Sequence, residues 1–305
     1  MLVAVSGAGG FLGSTVCDLL LDKGHEVRAM VHYNTDNLEH IKDRVEIMKA
    51  DIRFQDECLE ACKDVDVIIH TAACIHVDRS RRYPQLFYET NVRGTMNMLE
   101  ACRREDAKFV HMSTCEVLGN IPEGKADEDY AFKQPCSPYA SSKHAAESYC
   151  YAYHSTYDLH LNIVRGFNLC GPRQKRGKKG AVIPIFINKV LQGQPLTIYG
   201  SGEQTRDYVD ARDIARGILS ILESKHKGEL FHLCTGVEIS INTLAEKVIE
   251  ACRVVTSPMH IEERPGELMR SVGDYGKAER LLGWTPSFTL EQSLKDSVEY
   301  LRKQT

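Results

Sequence analysis

Two residues four apart, Tyr139 and Lys143, carry the first chemical signal in this chain. The spacing puts a phenol and an ammonium on one face of a helix. A free tyrosine has a pKa of about 10 and is a poor base at neutral pH. A neighbouring lysine and a cationic nicotinamide both favour its phenolate. Such a group can take the proton of an alcohol while hydride leaves the same carbon. A second signal lies near the start, in Gly7-Ala-Gly-Gly10-Phe11-Leu12-Gly13. Glycines at 7, 10 and 13 allow a tight turn and a close backbone approach to a pyrophosphate, and the following helix N-terminus adds N–H donors. Either motif alone is weak. Together they point to an enzyme that uses NAD or NADP to oxidise an alcohol carbon.

These residues need elements to position them. Leu2 to Ser6 reads as a strand and Phe11 to Lys23 as a helix stopped by Gly24. Strands follow at Glu26 to Val31, Val45 to Ala50, Val65 to Thr71, Lys108 to Thr114 and Leu161 to Phe167. Helices are expected at Gln55 to Cys62, Pro84 to Arg104 and Pro138 to Tyr157. The strands are nearly continuously apolar, as when helices cover both sheet faces. The alternation predicts an α/β fold, a doubly wound parallel (Rossmann) sheet, with a smaller C-terminal substrate-binding cap. Residues 1–167 plus 209–235 are assigned to the dinucleotide domain, and 168–208 plus 236–305 to the cap. Within 209–235, Val209 to Ile221 and Glu229 to Cys234 are expected to return to the sheet.

The second strand of such a domain normally ends in an acid for the NAD ribose. Here it ends Val31-His32-Tyr33, so NAD and NADP both stay open, with His32 facing an adenosine phosphate as one reading. Asp51-Ile52, after the third strand, is placed to reach the adenine.

The chain has 305 residues, 43% apolar and 26% charged, with 38 basic against 42 acidic side chains and a net charge of −4. That excludes intrinsic disorder as the main state and gives no electrostatic case for nucleic-acid or membrane-surface binding. The longest apolar runs, such as Ala181 to Ile187, fall short of the roughly 20 residues of a membrane span. The opening MLVAVSGAGG has neither the basic nor the apolar region of a secretory signal. The 11 cysteines are scattered, without a CxxC or zinc-like spacing, so reduced thiols in a cytoplasmic protein and no metal site are expected.

The motif set resembles the extended short-chain dehydrogenase/reductase family, and within it the nucleotide-sugar epimerases and dehydratases. The likeness runs through His70-Thr-Ala-Ala73, Asn91-Val-Arg-Gly94, His111-Met-Ser-Thr114, Gly171-Pro-Arg-Gln174, Gln204-Thr-Arg206-Asp-Tyr208, Arg264-Pro-Gly-Glu267 and Leu281-Leu-Gly-Trp284. It implies that Thr114, Tyr139 and Lys143 form the catalytic triad and that Ala72, Ala73 and Asn91 help hold the cofactor. It also implies a grip on a nucleotide-diphosphate sugar by Asn168, Arg173, Arg206 and Arg264, with Val182 and Tyr199 near the base. A homodimer through the helices at 84–104 and 138–157 is a further family expectation.

The residues after Thr114 discriminate among reactions. A 4-epimerase needs only Thr, Tyr and Lys. A 4,6-dehydratase also needs a base for the C5 proton and an acid for the C6 hydroxyl. The dTDP-glucose 4,6-dehydratases carry Thr-Asp-Glu there, the Asp as acid and the Glu as base; this chain carries Thr114-Cys115-Glu116. Glu116 matches the base. Cys115 replaces the acid with a thiol, a weaker donor. The His76-Val-Asp-Arg-Ser80 run also resembles the glucose dehydratases, while Ala73-Cys74-Ile75 and Leu118 depart from them and point to an altered sugar, an N-acetylhexosamine being one candidate. The expected activity is a redox-neutral 4,6- or 5,6-dehydratase. A 4-epimerase is the alternative, with a decarboxylase or a non-catalytic dinucleotide sensor behind it.

Overall fold

The computed structural model describes residues 1–131, 135–175, 180–263 and 267–304. The first half alternates β1 (Leu2–Ser6), α1 (Phe11–Asp22), β2 (Glu26–Val31), β3 (Glu46–Lys49), α2 (Gln55–Ala61) and β4 (Val67–His70). It continues with α3 (Val77–Arg82), α4 (Pro84–Phe87), α5 (Gly94–Glu105), β5 (Lys108–Thr114), α6 (Pro138–Tyr157) and β6 (Leu161–Gly166). Then come β7 (Asn168–Cys170), α7 (Val182–Leu191), β8 (Leu196–Tyr199), β9 (Thr205–Arg206), β10 (Tyr208–Asp210), α8 (Ala211–Glu223) and β11 (Leu230–Leu233). The chain closes with β12 (Ile239–Ser240), α9 (Ile241–Cys252), β13 (Pro258–Ile261), β14 (Arg270–Ser271), α10 (Gly276–Leu282) and α11 (Leu290–Arg302).

Seven strands form one sheet in the order β11-β6-β5-β4-β1-β2-β3, with every neighbouring pair parallel. The order reverses between β1 and β4, which opens a crevice beyond their carboxyl ends. The apolar strands explain the sheet: Val3, Val5, Val67, Ile69, Val110 and Val164 are buried in one core layer, and Ala4, Ile68, Phe109 and Ile163 in the other. Helix α6 starts where Ser137 caps the Ala140 N–H at 3.1 Å and Pro138 occupies its first turn, and it ends at Asp158 in a left-handed conformation. The start of α6 is therefore set locally, and with it the height of Tyr139 above the sheet.

Four smaller features depart from the expected pattern. The helix expected over Pro84 to Arg104 is interrupted by a π-turn at Tyr88–Arg93, which carries Asn91. Asp36–Arg44 forms a 3-10 segment and Val77–Arg82 a short helix, neither anticipated from periodicity. The near-apolar sheet also carries a polar row: His70 pairs in register with His111, Ser113 with Arg165, and Arg165 with His232.

The strands outside the large sheet are short and pair locally, β7 with β10, β8 with β13, and β9 between β12 and β14. Of these, β7, β8, β10 and β12 share a separate apolar cluster with α7, α9 and α11, built on Phe186, Ile187, Leu196, Leu244 and Leu294. No disulfide joins the described cysteines, and no helix among the described residues is long and apolar enough to cross a membrane.

Candidate active site

The glycine turn after β1 is cut to backbone dimensions. Gly7 has φ +71, and a Cβ there would lie 2.9 Å from the Ala72 backbone; one on Gly13 would lie 2.2 Å from the Gly7 carbonyl oxygen. The Gly10 N–H donates to Gly7 O at 2.8 Å, and Phe11 and Leu12 open α1 directly behind the turn. Opposite it, Ala72 N donates to Ser6 Oγ at 3.3 Å, so the loop after β4, with Ala72 and Ala73, is stitched to the end of β1. Backbone N–H groups at a helix N-terminus, with no side chain in the way, fit the pyrophosphate of a dinucleotide.

At the adenosine end, His32 Nε2 lies 3.2 Å from Asp51 Oδ2. Arg53, which the sequence reading did not single out, binds the same carboxylate through Nε at 3.0 Å and Nη2 at 2.5 Å. Burial alone would raise the Asp51 carboxyl, but the Arg53 hydrogen bonds and His32 outweigh it and hold it below the usual range. Ile52 packs onto Gly94, where a Cβ would come within 2.7 Å of its side chain, and the Ile52 carbonyl accepts from Asn97 at 2.8 Å. Asn91 is a positioning residue in this structure. Its side chain clasps Cys74 N and O at 2.7 and 2.9 Å and donates to Ser142 Oγ at 2.9 Å.

Strand β5 ends at Thr114 and α6 brings Tyr139 and Lys143 alongside. Tyr139 shares a side-chain hydrogen bond with Thr114; burial pushes the phenol well up, and that hydrogen bond opposes the shift. Lys143 Nζ donates to Met112 O at 2.7 Å and sits 3.3 Å from His111 Nε2. Burial brings the Lys143 ammonium down to about 8, against the pull of Glu147. A cationic lysine beside a buried tyrosine is what a proton-accepting phenol needs.

The two residues after Thr114 part company. Glu116 stays at the site: burial raises its carboxyl, Arg206 lowers it, Glu267 raises it, and its charge is felt by Tyr139. Cys115 is the residue expected at the acid position. It is 3% exposed within the apolar core, and burial pushes its thiol up to about 12, with Ser271 beside it. A thiol so reluctant to ionise, held in the core, is a poor proton donor to a sugar hydroxyl.

The substrate residues are dispersed. Arg206 Nη2 lies 3.4 Å from Glu267 Oε1 and is only 11% exposed. Asn168 pairs in register with Tyr208, and the Asn168 Oδ1 and Tyr208 hydroxyl are buried without a hydrogen-bond partner. Arg173 is another arginine expected at the diphosphate. Its Nη2 pairs with Asp18 on α1 while its Nη1 is buried without a hydrogen-bond partner, its backbone is left-handed at φ 71, and it lines a small cavity with Pro172, Ile183 and Tyr300. His76 immediately precedes α3, Val182 opens α7, and Tyr199 ends β8. Arg264 lies outside the described residues.

Sequence reasoning missed Asp207, Glu147 and Arg165. Asp207 is fully buried and accepts from Thr235 N and Oγ1, Gly236 N and Gly273 N, at 2.6–3.3 Å, which ties the β9–β10 turn to the loops after β11 and β14. Glu147 is gripped by Arg165 Nε and Nη2 at 2.9 and 2.7 Å and by Ser113. A charge inside the mostly apolar run Leu161 to Phe167 was the available signal for Arg165.

Known proteins resemble this chain over its whole length. A UDP-glucose 4-epimerase from Mycolicibacterium smegmatis is 34% identical over 313 residues, covering 100% of both chains. A dTDP-glucose 4,6-dehydratase from Streptomyces niveus is 34% identical over 316 residues, covering 99% of this chain and 93% of its own. The solved UDP-glucose 4-epimerase of Thermotoga maritima, in complex with UDP-glucose, superposes with a TM-score of 0.94 at 30% identity over 100% of this chain and 99% of that one. Residues 3–234 match the NAD dependent epimerase/dehydratase family. With its dinucleotide cradle and its Thr-Tyr-Lys cluster, the chain belongs to that family of NAD-dependent nucleotide-sugar enzymes.

Proposed function

We propose that the chain is a redox-neutral nucleotide-sugar dehydratase acting through C4 oxidation, C5 deprotonation and loss of the C6 hydroxyl. The observation that carries this reading is Glu116, a carboxylate whose proton affinity is raised by burial and which stands beside Tyr139 and Arg206. Bound NAD supplies the reversible hydride acceptor. Tyr139 takes the C4 hydroxyl proton, Thr114 orients that hydroxyl, and Lys143 keeps the phenol acidic enough to act. Oxidation at C4 makes the C5 proton acidic, and Glu116 removes it. With Cys115 in the core, the protonated Glu116 is the group left to assist departure of the C6 hydroxyl as water. The hydride taken from C4 returns to C6 with a proton to C5 (4,6-dehydratase), or to C4 with the Tyr139 proton to its oxygen (5,6-dehydratase), so the reaction is redox-neutral.

The nucleotide sugar is assigned to the segment 168–208 plus 236–305. Arg206, through its guanidinium, and Asn168, through its side-chain amide N–H, are assigned as donors to the diphosphate oxygens. His76 is assigned to the border of the sugar site, Val182 and Tyr199 to the base, and Arg264 to the diphosphate. Homodimerisation is assigned to the exposed tyrosines 88, 149 and 151 and is checked by sedimentation.

A 4-epimerase is the second reading, and the burial of Cys115 favours it, because epimerisation needs no separate acid. A proton NMR time course in D₂O separates the two. The NAD-loaded protein is incubated with UDP-GlcNAc, UDP-glucose, UDP-glucuronic acid and dTDP-glucose in turn. Deuterium at C5 with loss of the C6 hydroxyl supports dehydration. Inversion at C4 without exchange at C5 makes the protein an epimerase and leaves Glu116 as the partner of Arg206.

A further inference from the structure

We propose that Glu147 is a positioning residue for the oxidation step, a fixed buried carboxylate that keeps the neighbouring Lys143 ammonium charged inside the protein. The inference rests on Tyr139 and Lys143 acting as the proton-transfer pair. Lys143 is 3% exposed, and the partners of its Nζ, Met112 O and His111 Nε2, are neutral. An ammonium withdrawn from water into neutral surroundings tends to lose its proton. Glu147 lies one turn further along α6, on the same face, and is 1% exposed.

The other titratable groups facing Lys143 do not replace it. From β4, His70 is bound by Ser6 Oγ at 2.7 Å and Thr95 Oγ1 at 3.1 Å; from β5, His111 lies 5.5 Å away from it, ring to ring. Burial keeps both neutral, His70 down at about 3. From α6, burial keeps the Tyr139 phenol and the Cys150 thiol protonated. Of these groups, Glu147 alone brings a carboxylate.

The way Glu147 is held supports a role beyond stability. Arg165 grips both carboxylate oxygens from β6, and Ser113 adds a third hydrogen bond from β5. Two cations and one anion thus share the interior. A buried ion pair can often be replaced by apolar side chains at little cost to stability, so fold stability alone gives weak reason for one here. A clamped anion that sets the charge of Lys143 accounts for all three residues.

The test follows the Lys143 ¹⁵Nζ signal with pH in the NAD-loaded protein, in wild type, Glu147→Gln and Glu147→Asp, with melting curves beside it. The wild type is expected to hold an ammonium at pH 7. Glu147→Gln is expected to lower the Lys143 midpoint by about one pH unit or more, and Glu147→Asp to restore it. For whichever of the four nucleotide sugars is turned over, the alkaline limb of kcat moves down in step while KM stays put. A Lys143 midpoint unchanged in Glu147→Gln, with only the melting temperature lowered, makes Glu147 an ordinary ion-pair partner and overturns the proposal. So does a neutral Lys143 at pH 7 in the wild type, which decides the matter even if Glu147→Gln does not fold. Tyr139→Phe with full turnover would sink the catalytic reading, while the Lys143 titration would still decide the role of Glu147.

Discussion

The floor and the roof of the site are built differently. The floor, at the carboxyl ends of β4, β5 and β6, holds Lys143, Glu147, Arg165, His70 and His111, all buried and most of their polar atoms engaged within the protein. The roof holds Arg206, Glu116 and Glu267 in a loose cluster, with Asn168 Oδ1 and the Tyr208 hydroxyl unpartnered. The floor is wired before any sugar arrives, so proton transfer needs little reorganisation. The roof holds groups whose best partners belong to a ligand, and selectivity among nucleotide sugars is expected to reside there.

The contrast breaks most sharply at Tyr139. Tyr139→Phe is expected to cut turnover by about 10²–10⁴ while leaving the melting temperature nearly unchanged, read by NMR on the accepted nucleotide sugar. Glu116→Gln comes next. Under dehydration, C5 deuterium exchange drops by about 10² or more while C4 oxidation, read as NADH absorbance, persists. A Glu116→Gln protein that still exchanges C5 at the wild-type rate would end the base assignment. Arg206→Ala removes a charged contact from the roof and is expected to raise KM about tenfold or more with a smaller change in kcat, measured by initial rates. If kcat falls instead, the floor and roof are coupled more tightly than their hydrogen bonds suggest.

The smallest effect is on stability and belongs to the floor. Burial holds His70 and His232 down at about 3 and His111 well below its ordinary value. The unfolded chain binds protons on these rings near pH 6.5 while the folded chain does not, so stability rises with pH through this window and is lost as pH falls below it. The slope is about 1.4 kcal/mol per pH unit for each histidine. Urea unfolding at pH 7 and pH 5 measures it, and His232→Gln is expected to flatten it.

Much of the floor was legible because its signals are local. The glycine spacing of 7, 10 and 13, the i, i+4 pair of Tyr139 and Lys143, and the apolar strands each follow from a short-range rule. The element boundaries at Lys108–Thr114 and Pro138–Tyr157 came through unchanged for the same reason, since a capped, proline-started helix announces itself. The roof was less legible. Arg173 carried the right chemistry for a phosphate and yet pairs with Asp18, because guanidinium groups take whichever carboxylate the fold brings near.

The sequence by itself determined the α/β alternation, the glycine turn after β1 and the i, i+4 pair Tyr139–Lys143, all of which depend on residues close together in the chain. Only the tertiary structure decided which side chains far apart in sequence share a dielectric environment. It buried Cys115 beside Ser271, left Glu116 with Arg206, and set Glu147 against Arg165 one helical turn from Lys143. Burial and charge neighbours govern proton affinity, and neither is a property of spacing along the chain.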